Sequence, residues 1–280
     1  MTDQRRIRLV IADVDGTLLT GNKVLTDEAK SAVGELRTAG IRFAITSGRP
    51  PRGMRMLVQP LNLDTPLAGF NGGVFANPDL SILEQRVLDK ATARKALDLI
   101  RRHGMDAWLY SGNDWLVTDA QAPHVAREAR TVEFEPNVVS SFEDRLQNVA
   151  KIVGISDDHG LVERCEDDAQ RALHGLASAN RSQPYYLDIT STEANKGEVV
   201  TYLSSRLHIP TCEIATFGDS PNDIPMFKRS GFSIAMGNAS DQVKAQANAV
   251  TGPNDGNGFA RAVRQFILNV QADTEHDPAR

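Results

Sequence analysis

The chain has 280 residues, 41% hydrophobic and 24% charged, as in an ordinary globular protein of one large or two modest domains. A formal net charge of −5 and a pI near 5.7 argue against a nucleic-acid partner, whose surface would carry a basic stripe. No segment approaches the roughly 18 uncharged apolar residues of a membrane span, and residues 1–6 lead into a strand rather than a signal region, so a cytoplasmic protein without a membrane partner is expected.

The first apolar run, Ile7-Arg8-Leu9-Val10-Ile11-Ala12, is too short for a core helix and reads as a strand of a parallel sheet covered on both faces. It breaks into Asp13-Val14-Asp15-Gly16-Thr17, at the carboxyl end where open α/β sheets bind ligands. Two carboxylates two residues apart on extended chain point the same way and suit magnesium, a cation that prefers oxygen ligands. One of them has the chemistry of a nucleophile toward phosphorus, and Gly16 permits a tight turn with close backbone approach. A solvated acidic loop is the plainer alternative.

Thr26 is placed to cap a helix with Asp27 and Glu28 in its first turn, Ala29, Ala32, Val33 and Leu36 on its inner face and Gly40 at its end. A second strand, Ile41-Arg42-Phe43-Ala44-Ile45, runs into Thr46-Ser47-Gly48-Arg49-Pro50, which completes a right-handed βαβ unit. Leu67-Ala68-Gly69-Phe70 then ends in the turn Asn71-Gly72-Gly73. Residues 86–184 change in texture and read as a separate α/β unit with a slight acidic balance. Its expected helices are 91–103 and 159–173, and its expected strands are 107–110, 115–118, 150–155 and 185–189. Trp108, Tyr110 and Trp115 cluster there and read first as core, with stacking on a sugar or ring as the alternative.

Beyond Pro184 the first texture returns. Asn195-Lys196-Gly197 opens a helix with Val199, Val200, Leu203 and Leu207 inward, and Glu213-Ile214-Ala215-Thr216-Phe217 breaks into Gly218-Asp219-Ser220-Pro221-Asn222-Asp223. Asp223 also has the position of an N-cap for the helix after Pro225. A short strand at 232–236 ends at Gly237-Asn238, a last helix is expected at about 258–270, and 271–280 reads as a disordered tail. Cys165 and Cys212 lack metal-ligand spacing and are expected to be reduced, buried thiols, and the six histidines show no metal pattern.

Five motifs in order, at 13–17, 46–50, 71–73, 195–197 and 218–223, resemble the haloacid dehalogenase-like superfamily of aspartyl-phosphate hydrolases, and within it the Cof-type phosphatases of subfamily IIB. The resemblance implies a Rossmann-like parallel core at 1–85 and 185–270 with an inserted α/β cap of type C2B at 86–184. By that resemblance Asp13 is the nucleophile and Asp15 the proton shuttle. Mg2+ is held by the Asp13 carboxylate, the Asp15 carbonyl and the Asp219 carboxylate. Ser47 and Lys196 hold phosphoryl oxygens with Gly48, Arg49 and Asn222, while Asp223 and Asn71 support the site. The family usually has threonine immediately before the Gly-Arg pair. Ser47 stands there instead, with Thr46 as the alternative hydroxyl.

The expected function is magnesium-dependent hydrolysis of a phosphomonoester, a small metabolite such as a sugar phosphate or a phosphorylated cofactor or precursor. A phosphotransferase or phosphomutase using the same aspartyl-phosphate, and a non-catalytic phosphate-binding module, are the alternatives. Oligomeric partners leave no mark in the chain.

Overall fold

The computed structural model describes residues 6–268, so the expected tail at 271–280 and the last two residues of the final helix lie outside the described residues. The described chain forms two compact units. One comprises the segment ending at Ser47, Met56–Leu67 and the segment beginning at Asn195; the other comprises Gly48–Arg55 and Ala68–Ala194.

In the first unit, strands Ala249–Val250, Phe232–Ala235, Ile214–Gly218, Leu9–Asp13 and Arg42–Thr46 lie side by side in that order, all parallel. Every residue of Leu9–Asp13 and Ile214–Gly218 is buried, which is why both segments are apolar throughout rather than alternating. Helix Asp27–Thr38 starts where the Thr26 hydroxyl accepts from Ala29 N at 3.2 Å, and it buries Ala29, Ala32, Val33 and Leu36, the inner face its periodicity predicts. Cutting Leu36 back to alanine in such a site costs about 2–5 kcal/mol. Helix Lys196–Leu207 buries Val199, Val200 and Leu203. Leu207 is only half-buried, because the helix ends there against left-handed His208. The last described segment is helix Gly258–Ala262, continued by a π-helical stretch at Val263–Leu268.

The second unit is built on a six-stranded sheet in the order Ser178–Gln183, Tyr186–Thr190, Val149–Ile155, Asp106–Ser111, Asp114–Val117, Asn137–Val138. Its pairs are antiparallel except the last, which is parallel. Helices Lys90–Arg102 and His159–Ala172 pack on one face through Ala93, Ala96, Leu97, Val162, Cys165 and Ala169. Trp108, Tyr110 and Trp115 are buried on the other face under helix Val125–Val132. Short strands Val74–Ala76, Ile82–Gln85 and Asn137–Val138 went unpredicted, as did two longer elements. Val125–Val132 lies between left-handed His124 and Glu133 with no side-chain cap, so no start or stop signal marks it. Ser178–Gln183 is a polar edge strand with only Ala179 buried, so it has no apolar period.

Cys165 is buried and burial pushes its thiol up to about 11. Cys212 departs from expectation: it is exposed, because the chain makes a short 3-10 turn at Thr211–Glu213 before the buried strand begins. Among the described residues no helix is long and apolar enough to cross a membrane.

Candidate active site

Parallel strands leave their carboxyl ends on one edge, and the first unit gathers its acids there. Asp13 is the last residue of its strand and 5% exposed. Lys196 is the first residue of its helix, whose N-cap Asn195 accepts from Glu198 N at 3.1 Å. That cap fixes the backbone and leaves the lysine side chain 1% exposed. Its ammonium donates to Asp13 Oδ1 at 2.5 Å and to Asp223 Oδ1 at 2.6 Å. The other oxygen of Asp223 accepts the N–H groups of Asp219 and Ser220 at 2.8 and 2.9 Å. Both Asp223 oxygens are therefore committed, and its side chain does not cap helix Ile224–Arg229 as the sequence suggested.

Asp219 is oriented from three sides. Its Oδ1 accepts the Thr17 hydroxyl at 3.0 Å, and its Oδ2 accepts the Ser220 hydroxyl at 3.2 Å and the Asn238 amide at 3.4 Å. The same Asn238 amide donates to the Gly16 carbonyl at 2.9 Å, tying the two loops together. Carboxylate oxygens of Asp13, Asp219 and Asp223 thus come within 4.8 Å of one another. Two glycines make the approach possible. Gly16 has φ +85°, and a Cβ there would sit 2.8 Å from Asp219 Cγ; a Cβ on Gly218 would sit 2.6 Å from Asp223 Oδ2.

Three carboxylates against one ammonium leave a surplus of negative charge. Burial drives the Asp13 carboxyl well above its usual range; Lys196 opposes the rise while Asp223 and Asp219 add to it. Asp219 is raised as well, by burial and then by Asp223. Burial works against the charge of Lys196, but Asp13 and Asp223 outweigh it and hold the ammonium protonated above the ordinary lysine range. The donors are all oxygens, the formal surplus is two charges, and Asp13 Oδ2 lies outside the lysine contact. A hard divalent cation fits that set.

Asp15 is half-buried and takes a different cation. The strand ends at Asp13 because Val14 O accepts the N–H groups of Leu18 and Leu19, and Asp15 Oδ1 then pairs with Lys23 Nζ at 2.8 Å. Thr46 stands opposite Asp13 in the sheet register; it and Ser47 are both buried, and the Thr46 hydroxyl has no hydrogen-bond partner. Asn222 is exposed in the turn Pro221–Asp223. The structure thus brings Asp13, Lys196, Asp219 and Asp223 into one bonded cluster.

Gly48, Arg49 and Asn71 belong to the other unit. There the buried Arg49 guanidinium donates to Thr131 O at 2.8 Å, and Asn71 follows Phe70 in a left-handed turn, with φ values of +57° and +51°. Sequence reasoning gave no role to Thr17, Ser220, Lys23 or Asn238. Asn238 carried a usable signal, since it follows a strand end just as Asp13 and Asp219 do.

A profile of the haloacid dehalogenase-like hydrolases matches residues 10–263. The 5-amino-6-(5-phospho-D-ribitylamino)uracil phosphatase YcsE of Bacillus subtilis is 25% identical over 262 residues, covering 94% of this chain and 96% of its own. The pyridoxal phosphate phosphatase YbhA of Escherichia coli is 27% identical over 270 residues, covering 93% and 99%. A haloacid dehalogenase-like hydrolase from Bacteroides thetaiotaomicron superposes with a TM-score of 0.85 at 26% identity, covering 93% of this chain and 99% of that one.

Proposed function

Because the chain belongs to the haloacid dehalogenase-like hydrolases, in their Cof-type phosphatase branch, we propose that it hydrolyses small phosphorylated metabolites through an aspartyl-phosphate on Asp13. The observation that carries this reading is the buried cluster in which Lys196 holds Asp13 and Asp223 while Asp219 brings a third carboxylate beside them. Asp13 needs no base, since a carboxylate attacks in its ionised form. Its oxygen bonds to phosphorus as the ester oxygen leaves, and Asp15 gives that oxygen a proton. Asp15 then takes a proton from the water that attacks the aspartyl-phosphate, and Asp13 and inorganic phosphate are released.

The Asp13 and Asp219 carboxylates and the Asp15 carbonyl would hold magnesium, which would shield charge as one anion approaches another. Ser47, Lys196 and Asn222 hold the phosphoryl oxygens where the transition state spreads negative charge, with Thr46 as a second hydroxyl. Residues 86–184 act as the cap inserted into a core of 1–85 and 185–270, and Gly48, Arg49 and Asn71 assist from the segments that lead to it.

The substrate class follows the relatives, one named for a phosphorylated ribitylamino-uracil and another for pyridoxal phosphate. Turnover of p-nitrophenyl phosphate and of a phosphometabolite panel tests the reading. Activity is expected with Mg2+, is lost in EDTA and returns when Mg2+ is restored. No turnover on any compound, or turnover indifferent to EDTA, overturns it.

A further inference from the structure

The loop that follows Asp13 is braced by a distant stretch of the same unit. Asn238 comes just after strand Phe232–Ala235, and Asn254–Gly256 forms a short 3-10 turn. The Asn238 side-chain amide donates to the Gly16 carbonyl at 2.9 Å and to Asp219 Oδ2 at 3.4 Å, while its Oδ1 accepts the Asn254 N–H at 3.0 Å. The Asn254 side chain donates in turn to the Leu19 carbonyl at 2.9 Å, and Leu19 is joined to Asp15 by an isolated β-bridge. Asp255 Oδ1 accepts the Gly21 N–H at 2.7 Å. The loop is thus gripped at Gly16, Leu19 and Gly21 by residues more than 200 positions away.

The chemistry of the contact calls for an amide. The Gly16 carbonyl and the Asp219 carboxylate both present oxygen, and they lie close, since a Cβ on Gly16 would collide with that carboxylate. Two acceptors at close range repel unless donors stand between them. A primary amide offers two N–H donors on one nitrogen and an acceptor oxygen beside them, whereas a hydroxyl has one donor and a carboxylate none. The Asn254 N–H occupies the oxygen, and this turns the NH2 group toward both loops. Thr17 also reaches Asp219, at Oδ1, but Thr17 belongs to one of the two loops and moves with it. Asn238 is anchored on a third segment.

We propose that Asn238 is a positioning residue, an amide clamp that holds the loop of Asp15–Thr17 at a fixed spacing from Asp219, and that Asn254 keeps this amide turned toward them. The assignment rests on the metal-dependent phosphatase reading, in which the Asp15 carbonyl sits on one loop and the Asp219 carboxylate on the other. Cation ligands carried on separate loops bind only as well as their spacing is kept. Asn254 then acts on cation binding through Asn238 and Leu19, not by contact.

Calorimetric titration of Mg2+ into the whole protein reads the clamp without turnover. Asn238→Ala is expected to raise the Mg2+ dissociation constant about tenfold or more, the usual penalty for removing a group that orients metal ligands, with circular dichroism unchanged. Asn254→Pro removes both the orienting N–H and the bond to Leu19 at a position where the preceding ψ of 156° suits proline, and it should shift the constant in the same direction. Asn248 is the control, because its Oδ1 accepts the Ser233 N–H and hydroxyl at 2.8 and 2.9 Å. Asn248→Ala should lower the melting temperature and leave Mg2+ affinity as it was. Unchanged affinity in Asn238→Ala, or an equal loss in Asn248→Ala, overturns the clamp and leaves the phosphatase reading in place. Unaltered protein that takes up no Mg2+ at about 10 mM overturns the metal reading and the clamp together.

Discussion

The two units bury charge in opposite ways. Around Lys196, three carboxylates outnumber one ammonium, and hydrogen bonds from Thr17, Ser220, Asn238 and backbone N–H groups hold the surplus in place. Around Lys151, Asp188 pairs with the ammonium and Glu128 bonds the Tyr110 phenol, but two indole N–H groups and the Tyr186 hydroxyl lack partners. The first cluster is short of positive charge, the second of hydrogen bonds. A charge deficit selects an ion, whereas a hydrogen-bond deficit selects a neutral polar group.

Breaking the first cluster at its centre has the largest effect. Asp13→Asn is expected to lower turnover by at least about a thousandfold while circular dichroism stays native. Activity retained within about tenfold would remove Asp13 as nucleophile. The two lysines compare the clusters directly. Lys196→Met leaves carboxylates buried without their counter-charge and should cost about 3–5 kcal/mol in urea unfolding. Lys151→Met leaves a single carboxylate and should cost about 1–3 kcal/mol. Equal losses would mean that the surplus charge around Lys196 is not what distinguishes it.

Gly16→Ala tests whether close approach matters, since the new Cβ meets Asp219 at a φ of +85°. Turnover should fall about 10- to 100-fold, because displacements near 1 Å at a reacting centre carry that penalty. An unchanged rate would show that Asp219 can move without consequence.

The smallest effect belongs to an exposed cluster. Hydrogen bonds from Arg264 hold the Glu35 carboxyl below its ordinary value. A depressed carboxyl contributes stability that is full above the unfolded value, near 4.3, and is lost as pH falls through the lower folded value. Glu35→Gln should therefore flatten the acid side of a stability-against-pH curve by a few tenths of a kcal/mol, as exposed pairs usually do. A steeper acid limb in the variant would reverse the assigned sign.

Local pattern explains how much of this was legible in the chain. Ala29, Ala32, Val33 and Leu36 repeat at helical spacing beside Thr26, so both the helix and its inner face could be read. Asp13, Lys196 and Asp219 each follow or open a regular element, which places them at strand ends and a helix start without knowledge of contacts. The partners that orient them were not readable. Thr17 reaches Asp219 across 202 residues and Asn238 reaches Gly16 across 222, and a hydrogen bond closed by the fold leaves no spacing in the sequence. Helix Val125–Val132 and strand Ser178–Gln183 escaped for the other reason, since one lacks caps and the other lacks apolar residues to bury.

The contact between Lys196 and Asp13 spans 183 residues, and nearly the whole second unit lies between them. During synthesis, strand Leu9–Asp13 emerges with Arg42–Thr46 as its early neighbour, and its other neighbour, Ile214–Gly218, arrives last. The second unit has left the ribosome by Ala194 and closes on contacts nearer in sequence, so it folds while the first sheet still waits for its centre. On the proposed reading a nascent chain is thus chemically silent until the loop of Asp219 and Asp223 arrives, and truncation between Ala194 and that loop leaves the second unit whole while Asp13 lacks both acids.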